Sequence, residues 1–261
     1  MVISTPLSWI HTWAPIGLEP TVAVTQSVTR PGPPSTWVLN NHDVLRHVSR
    51  FGGDYGRTTA SDGVGPNNPQ PDNVLGLQKA RAATLFMLGL PGASYLFQGE
   101  ELGLQEALQI PAEQMQDPQF LRNPDVGMSR DGCRVPLPWE AGAGAANGFN
   151  ETGESWLPQP ANYQSLSRDQ QSGVAGSTLE LYKRLLSVRK SLGLGAGDFR
   201  WATEFENENS LAYVNKAVAV VANFGNEPVV LPRGEILVTS QIDLTSDGYL
   251  EKDQTAWIRL S

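Results

Sequence analysis

Two places in the sequence set polar groups at the end of an apolar run. In TWVLNNHDVLRHVSRFGG, residues 36–53, the apolar residues stop at an amide, an imidazole and a carboxylate: Asn41, His42 and Asp43. In ASYLFQGEELGL, residues 93–104, they stop at Gln98, Glu100 and Glu101. Two carboxyl groups flanking a bond are what glycosidic cleavage needs, one to protonate the leaving oxygen and one to attack or to activate water. Asp43, Glu100 and Glu101 are candidates by position, and Arg46, Arg50, Arg130 and Arg134 could pin them or hold sugar hydroxyls. Spacing alone also fits a polar turn that merely closes a strand.

The elements that must carry these residues can be read from the pattern around them. STWVL, residues 35–39, is short, β-branched and aromatic, with prolines before it and polar residues after it, and reads as a buried strand. Residues 51–73 form a Gly/Pro/Asn-rich loop of a length usual for lids and binding loops. The spacing of Val74, Leu77, Arg81, Leu85 and Leu88 predicts a helix, with Asp72 or Asn73 as its cap and a nearly apolar, hence buried, last two turns. ASYLF, residues 93–97, then reads as a second strand. Strand, helix and strand in this order make a βαβ crossover with parallel strands, and ligands of such sheets sit at the carboxyl ends.

The rest divides in two. Residues 105–170 have little periodicity, and AGAGAANG at 141–148 fails the dinucleotide fingerprint because Asn147 stands where the third glycine should be. STLELYKRLLSVRKSL predicts a helix capped by Ser177, with Glu180 facing Arg184, and ended by Gly193. From Gly197 on, LAYVN, AVAVVANF, EPVVLP, EILVTS and TAWIRLS read as strands of a small antiparallel sandwich. The expected organisation is an irregular segment at 1–35, an α/β segment at 36–196 and a β-sandwich at 197–261.

Composition excludes other classes. With 19 basic against 27 acidic side chains, the formal charge of −8 repels phosphate backbones, so no nucleic-acid partner is expected. The first residues, MVISTPLSWIHTWAPIG, lack a basic start and a sustained apolar core, and no run approaches a membrane span. Cys133 is the only cysteine, which excludes an intrachain disulfide and fits a reducing, cytoplasmic setting. The spacing of His42, Asp43 and His47 matches no familiar metal site, and no P-loop, GxSxG, HExxH or CxxC occurs. No metal and no cofactor are expected.

NNHDVLRHVSRFGG resembles a conserved region of the α-amylase superfamily, glycoside hydrolase family 13, in the form carried by α-glucosidases and oligo-1,6-glucosidases. The resemblance continues in order through LFMLGLPGASYLFQGEELGL, SRDGCRVPLPW, YKRLLSVRKSLG and VVANFGNEPVVLP, so it spans about residues 36–261. It implies the C-terminal part of a (β/α)8 barrel, with STWVL and ASYLF as strands seven and eight, followed by the family's β-sandwich. It implies a small α-glucoside as substrate. Asp43 would be the third catalytic carboxylate, which helps to distort the sugar ring. His42, Arg46, Arg130 and Arg134 would hold the substrate, and Glu100 and Glu101 would support the barrel rim.

The same resemblance places the nucleophilic Asp and the acid Glu on strands four and five. Residues 1–35 contain one acidic residue, Glu19, and nothing like the nucleophile motif. The expectation is therefore a chain inactive by itself, with the missing N-terminal barrel half as a partner. The alternative is a non-catalytic amylase-like module that binds sugar or acts as a scaffold.

Overall fold

The computed structural model describes residues 7–9, 13–14, 22, 35–53, 63–65, 67–124, 128–241 and 248–261. The expected strand TVAVTQSV, except Val22, and much of the expected loop at 51–73 lie outside these residues.

Three parallel strands form the first sheet: β1 (Leu7–Trp9), β2 (Thr36–Val38) and β3 (Ala93–Tyr95), in the order β1-β2-β3. Leu7 stands opposite Thr36, and Thr36 opposite Ala93. The sequence reading expects only two parallel strands and an irregular start. β1 corrects this: it is a three-residue strand between Pro6 and Pro15, too short to show a period. β2 is fully buried as expected, and Trp37 donates its indole N–H to Pro91 O at 2.7 Å. β3 is more exposed than an apolar run suggests, with Tyr95 62% exposed, because no further strand covers its outer edge among the described residues.

Between β2 and β3 runs the long helix. The short helix α1 (His47–Phe51) comes first, then α2 (Asn73–Gly89). Asp72 caps α2 by accepting from Val74 N and Leu75 N at 3.0 Å each. Its last turns are buried, including Leu85, Phe86, Met87 and Leu88, each contributing roughly 1.5–3 kcal/mol of apolar burial. A buried helix end must satisfy its last carbonyls. Side chains from far along the chain do so here. Trp257 Nε1 donates to Leu85 O at 2.9 Å, the Tyr213 hydroxyl to Phe86 O, and Asn215 Nδ2 to Gly89 O at 2.8 Å.

Beyond α3 (Pro118–Arg122) and α4 (Arg168–Gln171), the last helix is α5 (Thr178–Ser191). Ser177 Oγ accepts from Glu180 N at 3.2 Å, and Gly193 turns left-handed just past the end, as expected. Arg189 of α5 donates to Leu88 O, to Leu90 O at 2.7 Å and to Gly92 O at 2.6 Å.

All five expected late runs are strands. The chain forms β4 (Arg200–Trp201), β5 (Ser210–Asn215), β6 (Val218–Asn223), β7 (Val229–Val230), β8 (Gly234–Thr239), β9 (Tyr249–Leu250) and β10 (Gln254–Leu260). β4-β5-β6-β10-β8 make an antiparallel sheet, and β7 pairs with β9 in a second one. Val229 and Leu250 of the small sheet pack with Ala212, Val221, Ala256 and Ile258 of the large one. Alternate residues of the large sheet therefore point at the small one.

The chain folds as two compact units: 1–39 with 78–95 and 181–261, and 40–77 with 96–180. The first unit joins β1 to β3 with strands that the sequence reading assigns to a separate segment. No helix of the described residues is long and apolar enough to cross a membrane.

Candidate active site

The polar residues after β2 belong to the second unit. Asn41 Oδ1 accepts from Asp43 N at 2.7 Å, an Asx turn that brings the chain round and leaves two side chains outside. The His42 and Asp43 side chains are 69% and 46% exposed. The strand-closing turn and the polar rim are thus the same structure.

Asp43 is the meeting point of the candidate residues. Its Oδ1 accepts from Arg130 Nη1 at 2.9 Å and from Arg134 Nη2 at 3.0 Å, and its Oδ2 faces His42 Nε2 at 3.3 Å. Arg134 Nε also holds the turn itself, donating to His42 O at 2.8 Å.

Both arginines come from one tight turn. Residues Asp131–Cys133 form a single 3₁₀ turn, with Arg130 and Arg134 at its two ends. The turn is fixed from below. Asp131 Oδ2 accepts from Gln116 N at 2.7 Å and Asp117 N at 2.8 Å, and Gly132 O accepts from Ala107 N at 3.2 Å. A Cβ at Gly132 would run into Glu106 Oε1 and Ala107 O, so only glycine fits there. Cys133 Sγ donates to Arg130 O at 3.1 Å, and burial pushes this thiol well up, which makes it structural rather than nucleophilic.

Asp117 is the residue that sequence reasoning misses. Its side chain has no exposure and grips Arg130 from two sides: Oδ1 accepts from Nη2 at 2.7 Å, and Oδ2 from Nε at 2.8 Å. It also takes the Arg130 main-chain N–H at 2.8 Å and caps α3 through Gln119 N at 3.0 Å. The Arg130 guanidinium holds the Asp117 carboxyl well below the usual carboxylate range. Asp-Pro at 117–118 is a legible helix-start signal, but nothing in it announces an arginine partner.

Arg46, expected beside the substrate, is placed elsewhere. It is 1% exposed, with Nη1 on Gln98 O at 2.7 Å, Nη2 on Cys133 O at 2.9 Å and the guanidinium 5.4 Å from the centre of the Phe97 ring. The structure makes it a tie between three segments and does not bring it to the open side of Asp43. Glu100 and Glu101 hold their own turn, accepting from Phe97 N at 3.1 Å and Gly99 N at 2.8 Å.

A buried charged layer supports the rim. Arg50 donates to Asn40 Oδ1 at 3.1 Å and to Leu45 O at 2.7 Å, and burial lowers its pKa to about 10. Burial raises Glu100 and Glu106 to about 7 each. Burial, with Arg50 and Arg46 nearby, lowers His47 well below its ordinary value.

Chemically, the cluster offers a carboxylate with one oxygen neutralised by two arginines, an imidazole beside the other, and open access between them. Such a rim suits a polyhydroxylated ligand and the positive charge that grows on a sugar ring during cleavage. Residues 16–194 match the α-amylase family, described as "Alpha amylase, catalytic domain". This protein belongs to that family. It is 32% identical over 205 residues to the salivary alpha-glucosidase of Aedes aegypti, covering 76% of this chain and 30% of the relative. It is also 32% identical over 155 residues to a probable alpha-glucosidase of Rhizobium meliloti strain 1021, covering 59% of this chain and 24% of the relative. The alpha-glucosyl transfer enzyme XgtA superposes with a TM-score of 0.68 at 27% identity, over 94% of this chain and 44% of that one. Trehalulose synthase MutB from Pseudomonas mesoacidophila MX-45 has a TM-score of 0.71 at 23% identity, over 95% and 47%, which is a likeness of fold. The chain thus spans under half the length of these relatives.

Proposed function

We propose that this chain carries the third-carboxylate side of an α-glucosidase active site that cleaves terminal α-glucosidic bonds of small glucosides by a retaining mechanism. The observation that carries the reading is Asp43, half open to solvent, with Arg130 and Arg134 on one oxygen and His42 beside the other. In this reading β2 and β3 are strands seven and eight of the (β/α)8 barrel, β1 is the strand before them, and the late strands are the family's C-terminal domain. Asp43 and His42 grip sugar hydroxyls next to the bond, while Arg130 and Arg134 line the pocket and set the carboxylate's orientation.

The bond itself needs two more carboxyl groups. Retaining cleavage uses a pair about 5–5.5 Å apart, a nucleophile and an acid. Among the described residues the other carboxylate on Arg130, Asp117, is buried with both oxygens on that guanidinium, so it is free for neither role. In this reading both groups come from an N-terminal barrel half, and the 261 residues by themselves leave the bond intact.

The test is hydrolysis of p-nitrophenyl α-glucoside. The purified chain should leave it intact. Co-expression with a half-barrel ending after strand five should give turnover that Asp43→Asn removes. Turnover by the chain alone, lost in Asp43→Asn, would show that these 261 residues contain the bond-breaking groups and would overturn the reading.

A further inference from the structure

A groove of about 430 Å³ opens in the second unit, and none of the residues that meet at Asp43 line it. Its size falls in the range of roughly 300–1,000 Å³ usual for small-molecule sites. Six of its residues carry the chemistry: Glu113, Gln114, Gln116, Ser155, Trp156 and Gln159. Trp156 is 53% exposed, an unusual placement for the largest side chain. It is also held in place. Phe149 meets its ring edge-on, with centroids 5.6 Å apart and planes at 85°, and Gln116 Nε2 donates to Trp156 O at 2.6 Å.

The amide groups around it are oriented too. Gln159 Nε2 donates to Pro136 O at 3.1 Å, and its Oε1 accepts from Asn147 Nδ2 at 2.7 Å. Gln114 and Glu113 stand exposed on the 3₁₀ turn Ala112–Gln114.

This lining selects a class of ligand. Among the described residues no Lys or Arg lines the groove and a carboxylate does, which disfavours phosphates and nucleotides. An apolar ligand would take the Gln114 amide and the Glu113 carboxylate out of water with nothing in exchange. One aromatic ring is too few for the cages that hold quaternary ammonium groups. A ligand with an apolar face and a rim of hydroxyls suits both the exposed indole and the polar groups beside it. Its polarised C–H face meets the indole face, and its hydroxyls exchange hydrogen bonds with Gln114, Glu113 and Ser155.

We propose that this groove is a second carbohydrate-binding site, distinct from the Asp43 cluster, with Trp156 as its stacking platform. That the ligand is a carbohydrate follows from the groove's own side chains, whereas the choice of an α-glucan among carbohydrates rests on the α-glucosidase reading.

The experiment follows the indole N–H signals of the ¹⁵N-labelled chain during titration with maltotriose, with cellotriose and glycerol alongside. Seven tryptophans give seven signals, and Trp156→Phe identifies the one at issue. Maltotriose should shift the Trp156 signal saturably. Trp156→Ala should weaken binding about tenfold, and the surface change Gln114→Ala, which leaves packing intact, should weaken it several-fold. Asp43→Asn should leave the shift in place. No saturable shift with either trisaccharide would overturn the groove and leave the α-glucosidase reading standing. A shift with cellotriose alone would overturn the α-glucan choice and count against that reading. A shift abolished by Asp43→Asn would place the sugar at the carboxylate cluster, and an equal shift with glycerol would mean no site for a sugar; either would overturn the proposal.

Discussion

Arg130 is shared between two carboxylates of opposite character. One edge of its guanidinium, Nε and Nη2, is clamped on the buried Asp117, which leaves Nη1 for the exposed Asp43 at 2.9 Å. A planar fork with five donors can do this, and a lysine cannot. The buried carboxylate thus acts as the anchor for an arginine that works at the surface.

Asp117→Ala should therefore destabilise the protein. The change strips a cap from α3, a partner from the Arg130 main-chain N–H and the counter-charge from a guanidinium only 27% exposed. Removing one partner of a buried ion pair costs about 3–5 kcal/mol. Urea unfolding followed by circular dichroism should show a loss near the lower end of that range, since Arg130 retains some water. A loss under about 1 kcal/mol, the worth of an exposed pair, would mean that the anchor carries little load.

Arg46 and Arg134 should separate cleanly in the same assay. Arg46 is buried, with two donors on carbonyls of Gln98 and Cys133, so Arg46→Ala leaves those carbonyls unpaired and opens a cavity. A loss of about 3 kcal/mol or more is expected. Arg134 is 25% exposed, pairs with the half-open Asp43 and donates to His42 O, so Arg134→Ala should cost about 1–2 kcal/mol, less than Arg46→Ala. Under the proposed function its effect falls on sugar binding, read as weakened affinity for methyl α-glucoside. Equal stability losses would remove the distinction between tie and pocket residue.

These assignments also mark how far the sequence carries. β2, α2 and α5 are legible because apolar spacing and caps coincide: Asp72 and Ser177 sit where their helices begin, and Gly193 where α5 ends. Asp43, His42, Arg130 and Arg134 are legible through local motifs, and the fold brings all four together. Arg46 is misplaced because a motif gives a position along the chain and not a depth. Asp117 is invisible because its partner lies 13 residues away across an aperiodic loop. β1 escapes because three residues cannot display a period of two.

Stability should fall as pH rises from about 6.5 to 8. Burial raises Glu100 and Glu106 to about 7, above their unfolded value of roughly 4.3. A carboxyl with a raised folded pKa binds more protons folded than unfolded, so its contribution declines as pH rises between the two values and stays lost above the upper one. His47 works in the opposite direction. It is buried and neutral, so its penalty sets in only as pH falls below about 6.5. Above that pH the two glutamates act without it. The urea midpoint should therefore drop between pH 6.5 and 8, and Glu106→Gln, which keeps an acceptor for Arg46 N, should shrink the drop. A variant with an unchanged pH slope would show that Glu106 does not titrate in this window.

Gly132→Ala tests whether the 3₁₀ turn places both arginines. The added methyl group would collide with Glu106 Oε1 and with Ala107 O, one of them main chain that cannot swing aside. The turn must then lift, and with it Arg130 and Arg134 at its two ends. Overpacking of this kind costs about 1–3 kcal/mol. The more telling readout is the side-chain ¹⁵N spectrum of the arginines. In the parent protein Arg130 Nε–H donates to a buried carboxylate and should exchange slowly with water. In Gly132→Ala that signal should broaden or vanish, while Arg189, whose partners lie at the end of α2 and in the turn before β3, keeps its own. If the Arg130 signal survives, the turn can yield without moving its ends, and the rigidity of the Asp43 cluster must come from Asp117 alone.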